Sequence, residues 1–159
     1  MTTDDHPPAI TAMLADATAH GVTVEVRPRP VVNSLPEAAA ILGVTPADIA
    51  KTLVIRRGEG DYLFAVVPGD KTIAWPKLRA VVGAKRLSLP NADEALKATG
   101  YERGTITPIG AARAWPLYID ATLKGARVAM GAGAHGFSAF VQVDELAEGY
   151  GATLADISD

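Results

Sequence analysis

Lys51-Thr52-Leu53-Val54-Ile55-Arg56-Arg57-Gly58-Glu59-Gly60-Asp61-Tyr62-Leu63-Phe64-Ala65-Val66-Val67-Pro68 contains two apolar runs joined by a glycine-rich tetrapeptide. Gly58-Glu59-Gly60-Asp61 supplies the turn, so the stretch predicts two antiparallel neighbours, Lys51–Arg57 and Tyr62–Val67, with Pro68-Gly69 breaking the second. Lys51 stands at the mouth of the first strand, where a rigid backbone can hold a charged group at the edge of a cleft.

Working outward, Ile10, Met13, Leu14 and Ala17 recur at helical spacing before Gly21, which predicts a helix over 9–20. Val22, Val24 and Val26 then alternate with polar residues as a half-buried strand, ended by Pro28 and Pro30. Ser34-Leu35-Pro36-Glu37 is a capping box opening a helix that Gly43 closes, and Thr45-Pro46-Ala47-Asp48 starts a short helical turn. Beyond the hairpin, helices are expected from Pro76 to Val82 and from an Asn91 cap to Gly100, with a strand at Lys85–Leu89 between them. Strands follow at Leu117–Ala121, Ala126–Met130 and Phe137–Val143, then a helix from Asp144. The order predicts one domain, 1–159, of mixed α/β class with mostly antiparallel strands rather than βαβ repetition.

With 159 residues, 48% hydrophobic and 21% charged, the chain can bury a substantial core. No run approaches a membrane span and the start, Met1-Thr2-Thr3-Asp4-Asp5-His6, is acidic, so a cytoplasmic location is expected. The absence of cysteine removes disulfides, thiol nucleophiles and thiolate metal sites. Net charge is -3, yet all 15 Lys and Arg residues fall between Arg27 and Arg127. Against nine acidic residues in the same segment they leave it at +6, and the two ends at -9. Such a body can bind a short anionic ligand locally.

Two later loops are rich in glycine: Gly100-Tyr101-Glu102-Arg103-Gly104-Thr105-Ile106-Thr107-Pro108-Ile109-Gly110 and Gly131-Ala132-Gly133-Ala134-His135-Gly136. Glycine lets backbone N–H groups approach a substrate, and with an ammonium nearby they form an anion-binding, carbonyl-polarising site. The second loop matches GxGxxG, but Phe137–Val143 alternates like a strand where a phosphate-binding helix should begin, which excludes a dinucleotide fold. GxxxxGK[ST], GxSxG and HExxH are absent. A triad would have to be assembled from scattered residues such as Ser138, His135 and Asp120. Trp75 and Trp115 each precede proline and are expected to be packing anchors.

The order Ser34-x-x-Glu37-Ala38-Ala39, Leu42-Gly43, Lys51-Thr52-Leu53-Val54, Val66-Val67-Pro68, Gly100-Tyr101-x-x-Gly104-x-x-Thr107-Pro108-x-Gly110, Tyr118-Ile119-Asp120 and the glycine loop before Phe137-Ser138 resembles the YbaK/ProX aminoacyl-tRNA deacylases. These are similar to the editing insertion domain of bacterial prolyl-tRNA synthetases. The resemblance covers residues 10–150. It implies a compact domain built around a curved, mostly antiparallel pseudo-barrel sheet flanked by helices. It also implies hydrolysis of the ester joining a wrong amino acid to the end of a tRNA, with no metal and no organic cofactor.

The family's lysine matches Lys51, its GxxxP loop matches Gly104–Pro108, and its later glycine loop matches Gly131–Gly136 with His135. The resemblance thus implies Lys51, Gly104 and His135 as catalytic, and Ser34, Thr52, Thr107, Pro108, Gly110, Gly131, Gly133 and Ser138 as substrate-binding. Lys51 would neutralise the terminal phosphate or orient the ester; the Gly104 N–H would hold the ribose or the carbonyl; His135 would act as a base or line the pocket. Alanine-clearing members usually carry Asn after the lysine, where this chain has Thr52. Cysteine-clearing members usually carry a charged pair where it has Ala134-His135.

The expected substrate is tRNA-Pro bearing Cys, Ala or a similar small amino acid, with aminoacyl-tRNA as partner and prolyl-tRNA synthetase as a candidate second one. Two other readings use the same residues, a non-catalytic RNA- or nucleotide-binding module and a small-molecule ester hydrolase.

Overall fold

In a computed structural model, which describes residues 6–30, 32 and 34–159, the hairpin forms where the two apolar runs place it. Its strands, β2 (Ala50–Gly58) and β3 (Asp61–Pro68), pair antiparallel from Ala50 opposite Pro68 to Gly58 opposite Asp61, with an irregularity between Arg56 and Gly58. From Tyr62 onward every residue of β3 is buried, which is why its sequence reads as a continuous apolar run rather than an alternation. One face of the pair packs Val54, Phe64 and Val66 into the larger core with Ile10, Met13, Ile119 and Leu146. The opposite face packs Ile55, Leu63 and Val67 against Leu78 and Ile157.

The remaining elements assemble around this hairpin. The helices are α1 (Pro8–Ala19), α2 (Leu35–Leu42), α3 (Trp75–Val82), α4 (Ala92–Thr99) and α5 (Val143–Tyr150). The strands are β1 (Glu25–Pro28), β4 (Leu117–Asp120), β5 (Arg127–Gly131), β6 (Phe137–Gln142) and β7 (Thr153–Ala155). Strand order is β2-β3-β4-β7 in one sheet and β1-β6-β5 in the other. The second sheet is wholly antiparallel, whereas β4 pairs parallel to β3 and β7 parallel to β4. The caps act as the sequence predicts: the Glu37 N–H donates to Ser34 Oγ at 3.2 Å, and the Glu94 N–H to Asn91 Oδ1 at 2.8 Å.

Several expectations need correction. Among the described residues the strands form two sheets, not closed into a barrel, where one curved sheet was expected; a bridge between Ile49 and Ala129 links them, and the gap it leaves becomes the site described below. Lys85–Leu89 forms no strand, because only Ser88 bridges to Arg56. The first strand begins at Glu25 rather than Val22 and includes Pro28, which β1 accommodates as its last residue at a sheet edge. The short β7 has no counterpart in the sequence reading. Phe137–Gln142 is a strand, in agreement with the exclusion of a dinucleotide fold. Trp115 is the packing anchor expected, its Nε1 donating to the Ala98 carbonyl at 2.8 Å and its ring edge-on to Tyr62.

Asp120 closes the chain's end onto β4. Fully buried, its carboxylate accepts from the backbone N–H groups of Ile157 at 3.0 Å and Ser158 at 3.1 Å, and from the Thr122 hydroxyl. Burial alone would raise its pKa; the donors outweigh it and hold the carboxyl below the ordinary value. Its stabilising contribution is therefore complete above about pH 4 and is lost as pH falls through the lowered folded-state pKa. Asp120→Ala should cost about 3 kcal/mol by denaturant unfolding at neutral pH, since it strands two buried N–H groups. The difference from wild type should shrink in acid.

Candidate functional site

Between the two sheets lies a cleft of about 780 Å3. Its floor is Ala50, Thr52 and Val54 of β2 facing Ala129, Met130 and Gly131 of β5; Ser34, Leu35, Ala38 and Leu42 of α2 wall one side. Leu89, Pro90, Asn91, Ala92 and Ala95 wall the other, and Arg103, Gly104 and Ile106 hang over the mouth. Among the described lining residues the charged ones are Arg29, Lys51 and Arg103, so the cleft is cationic and carries no carboxylate. Its volume suits a ligand of nucleoside size.

Each of the two glycine loops is held by specific contacts. Tyr101 is buried and its hydroxyl donates to the Ile109 carbonyl at 2.6 Å; burial, aided by the nearby Asp16 carboxylate, pushes its pKa up to about 12. The Gly110 N–H donates to Asp16 Oδ2 at 2.8 Å, and the Gly133 N–H to the Thr105 carbonyl at 2.9 Å. A methyl group on Gly133 would sit 2.9 Å from the Tyr101 ring, and one on Gly110 2.9 Å from its hydroxyl. These two glycines make room for Tyr101. Gly131 makes room for backbone, since a Cβ there would lie 2.4 Å from the Ile106 carbonyl oxygen.

Gly104 is different. It is exposed at φ +89°, a left-handed conformation that favours glycine, and its N–H finds no acceptor among the described residues. The nearest atom to a Cβ built there is His135 Cε1 at 3.8 Å, so the two loops do meet. His135 stands outside the lining, 61% exposed, with Nε2 3.8 Å from Glu102.

Lys51 lines the cleft, and its Nζ donates to the Lys71 carbonyl at 2.7 Å, which fixes the half-buried side chain at the strand's mouth. On the floor, Thr52 Oγ1 is buried with no hydrogen-bond partner among the described residues. A hydroxyl costs free energy when buried unpaired, so Thr52 carries an unmet hydrogen-bonding capacity at the cleft floor. Ser138 is buried on β6 and accepts from Arg29 Nε at 3.0 Å.

Of the residues singled out in the sequence, the structure gathers Ser34, Lys51, Thr52, Gly104, Gly131 and Ser138 around one cleft. It places Thr107, Pro108, Gly110 and Gly133 outside the lining. Thr107 is buried with its hydroxyl 3.7 Å from Met130 Sδ, and Pro108 lines a separate small pocket with Tyr150. Ser138, His135 and Asp120 each bond elsewhere and form no triad. Arg29 was missed; the proline-flanked Pro28-Arg29-Pro30 reads as the end of a strand, and only the backbone bond from Arg29 N–H to the Gly136 carbonyl at 2.8 Å turns it toward Ser138. Among the described residues no three His, Asp or Glu side chains converge as a metal-binding group, and no helix is long and apolar enough to cross a membrane.

Comparison with known proteins matches residues 29–148 to the family described as the aminoacyl-tRNA editing domain. Proline--tRNA ligase of Bacillus licheniformis is 26% identical over 129 residues, covering 80% of this chain and 22% of the ligase. The uncharacterized protein YwhH of Bacillus subtilis is 41% identical over 90 residues, 55% of each chain. The chain thus spans about a fifth and about half of these two relatives. Among solved structures, hypothetical protein APE2540 superposes with a TM-score of 0.85 at 29% identity, covering 93% of this chain and 99% of that one. A candidate trans-editing enzyme for prolyl tRNA synthetase superposes with a TM-score of 0.86 at 24% identity, covering 98% and 99%, and shares the fold. With the family match running from Arg29 beside the cleft to Glu148 in α5, this chain belongs to the aminoacyl-tRNA editing domain family.

Proposed function

We propose that this protein is an aminoacyl-tRNA deacylase that acts in trans on tRNA-Pro mischarged with alanine, cysteine or a similarly small amino acid. The observation that carries the reading is the cleft itself: a cationic mouth, an exposed Gly104 N–H with no acceptor among the described residues, and an unpartnered Thr52 hydroxyl on an otherwise apolar floor. Family membership and similarity to proline--tRNA ligase support the tRNA and the proline system.

An aminoacyl ester needs only positioning, polarisation of its carbonyl and a water. Arg103 and Lys51 neutralise the terminal phosphate, and the Gly104 N–H donates to the carbonyl oxygen as it becomes an oxyanion. Water adds to the carbonyl carbon, the bond to the ribose oxygen breaks, and that oxygen takes up the proton, releasing the amino acid and the tRNA. His135, on the rim beside Gly104, accepts the water's proton in this reading; Thr52 and Ser34 bind the substrate. Prolyl-tRNA synthetase is the candidate docking partner.

The test is a deacylation panel of tRNA-Pro charged with Ala, Cys, Ser or Pro, beside free aminoacyl esters. Preferential release from one mischarged tRNA-Pro is the expected result. Equal turnover of free esters would indicate a small-molecule hydrolase, and binding without release a non-catalytic module. Thr52→Val separates ligand binding from folding: removing an unpaired buried hydroxyl should leave stability equal or raised by up to about 1 kcal/mol. Deacylation should nonetheless fall about tenfold, the worth of one neutral hydrogen bond to substrate.

A further inference from the structure

A second basic feature lies beyond the cleft. Arg56, Arg57, Gly58, Arg79, Lys85, Arg86, Leu87 and Ser88 enclose a groove of about 510 Å3. Five of its eight described lining residues are cations. Arg57 pairs with Asp61 at 2.9 Å and Arg56 with Glu94 at 3.2 Å, whereas Arg79, Lys85 and Arg86 have no carboxylate within 4.0 Å among the described residues. Lys85 and Arg86 are exposed, on a segment anchored by reciprocal bonds between Arg56 and Ser88, 2.7 Å from N–H to carbonyl one way and 3.0 Å the other.

The groove shares two segments with the cleft, the β2 floor and the wall that leads into α4. Along β2, the side chains of Thr52, Val54 and Arg56 share one face; Thr52 and Val54 line the cleft, and Arg56 opens the groove about 7 Å beyond Val54. Along the other wall, Lys85–Ser88 line the groove and Leu89–Asn91 the cleft without a break in the chain. Glu94 of α4, whose Ala92 and Ala95 line the cleft, is the carboxylate that lies beside Arg56. A polyanion whose end enters the cleft thus meets, beyond Arg56 of the same strand, the unpaired cations Arg79, Lys85 and Arg86 of α3 and the segment that follows it.

We infer that the groove formed by Arg56, Arg57, Arg79, Lys85 and Arg86 binds the phosphate backbone of the RNA whose aminoacylated end occupies the cleft. This rests on the deacylase reading for the identity of that end. The groove suits RNA more than a membrane surface, for among its lining residues Leu87 alone is apolar. Its cations contribute affinity and register rather than chemistry, because phosphate contacts position a nucleic acid without reading it.

The test compares wild type with the triple variant Arg79→Ala, Lys85→Ala, Arg86→Ala in binding to uncharged tRNA-Pro across a salt series. The expected result is affinity weakened on the order of 10–100-fold at moderate salt and a log–log salt slope shallower by about 2. A second variant, Arg79→Lys with Arg86→Lys, should keep affinity within a few fold, which separates charge from folding damage. Hydrolysis of aminoacyl-adenosine, too short to reach the groove, should be unchanged in both. Unaltered affinity and slope in the triple variant would overturn the inference. A wild-type protein that hydrolyses no aminoacyl ester would instead overturn the deacylase reading, and the binding comparison would still decide the groove.

Discussion

Lys51→Ala is expected to lower kcat/KM for a mischarged tRNA by about 10²–10³-fold, the usual scale for deleting one preorganised electrostatic group from a reaction centre. The fold should survive the change. Lys51 is half-buried and its ammonium makes one bond, to the Lys71 carbonyl, so the stability cost is about 1 kcal/mol. The apolar core beneath β2 comes from Val54 and Ile55, which the substitution does not touch. Single-turnover deacylation and chemical unfolding on the same preparation separate the two effects. A folded Lys51→Ala protein within threefold of wild type would remove Lys51 from the site.

Gly131→Ala is expected to damage both stability and turnover, through backbone rather than chemistry. The added methyl would fall 2.4 Å from the Ile106 carbonyl oxygen and 2.9 Å from that of Thr105, distances no relaxed Cβ tolerates. The 104–107 segment must then move off β5, losing the bond from the Gly133 N–H to the Thr105 carbonyl and displacing Gly104 from the mouth. A cost of about 3 kcal/mol, or roughly 6–12 °C in Tm, is expected for such overpacking. Turnover should fall at least tenfold even where the protein is fully folded, because Gly104 would be misplaced. Gly58→Ala provides the contrast: nothing lies within 4 Å of a Cβ there, and the change should stay within about 0.5 kcal/mol. If the two substitutions behave alike, the close approach of the loops is not what holds the cleft open.

The candidate site was partly legible in the chain. Lys51 and Gly104 stood out because a charged strand mouth and a glycine-rich loop are local anomalies, Thr52 stood out through the family resemblance, and all three line the cleft. Gly110 and Gly133 carried the same signal for another reason, the bulk of Tyr101 passing beside them. A glycine that admits a substrate and one that admits a neighbouring side chain look identical in sequence. Arg29 and the groove cations were invisible for the opposite reason: a lone arginine between prolines, or Lys85 and Arg86 on an irregular segment, acquire meaning only from what lies across the fold.

Hairpin position, helix caps at Ser34 and Asn91, the exclusion of a dinucleotide fold and the α/β class were all determined by the sequence, since each depends on residues a few positions apart. The tertiary structure decided that the strands form two sheets rather than a closed barrel, and that the gap between them is the cleft. It also decided that Arg29 meets Ser138 across 109 positions and that Lys85–Ser88 serves as a wall instead of a strand. The physical reason is range: a cap or a hairpin is stabilised by its own neighbours, whereas a cleft is the volume left when distant segments have satisfied their own packing and hydrogen bonds.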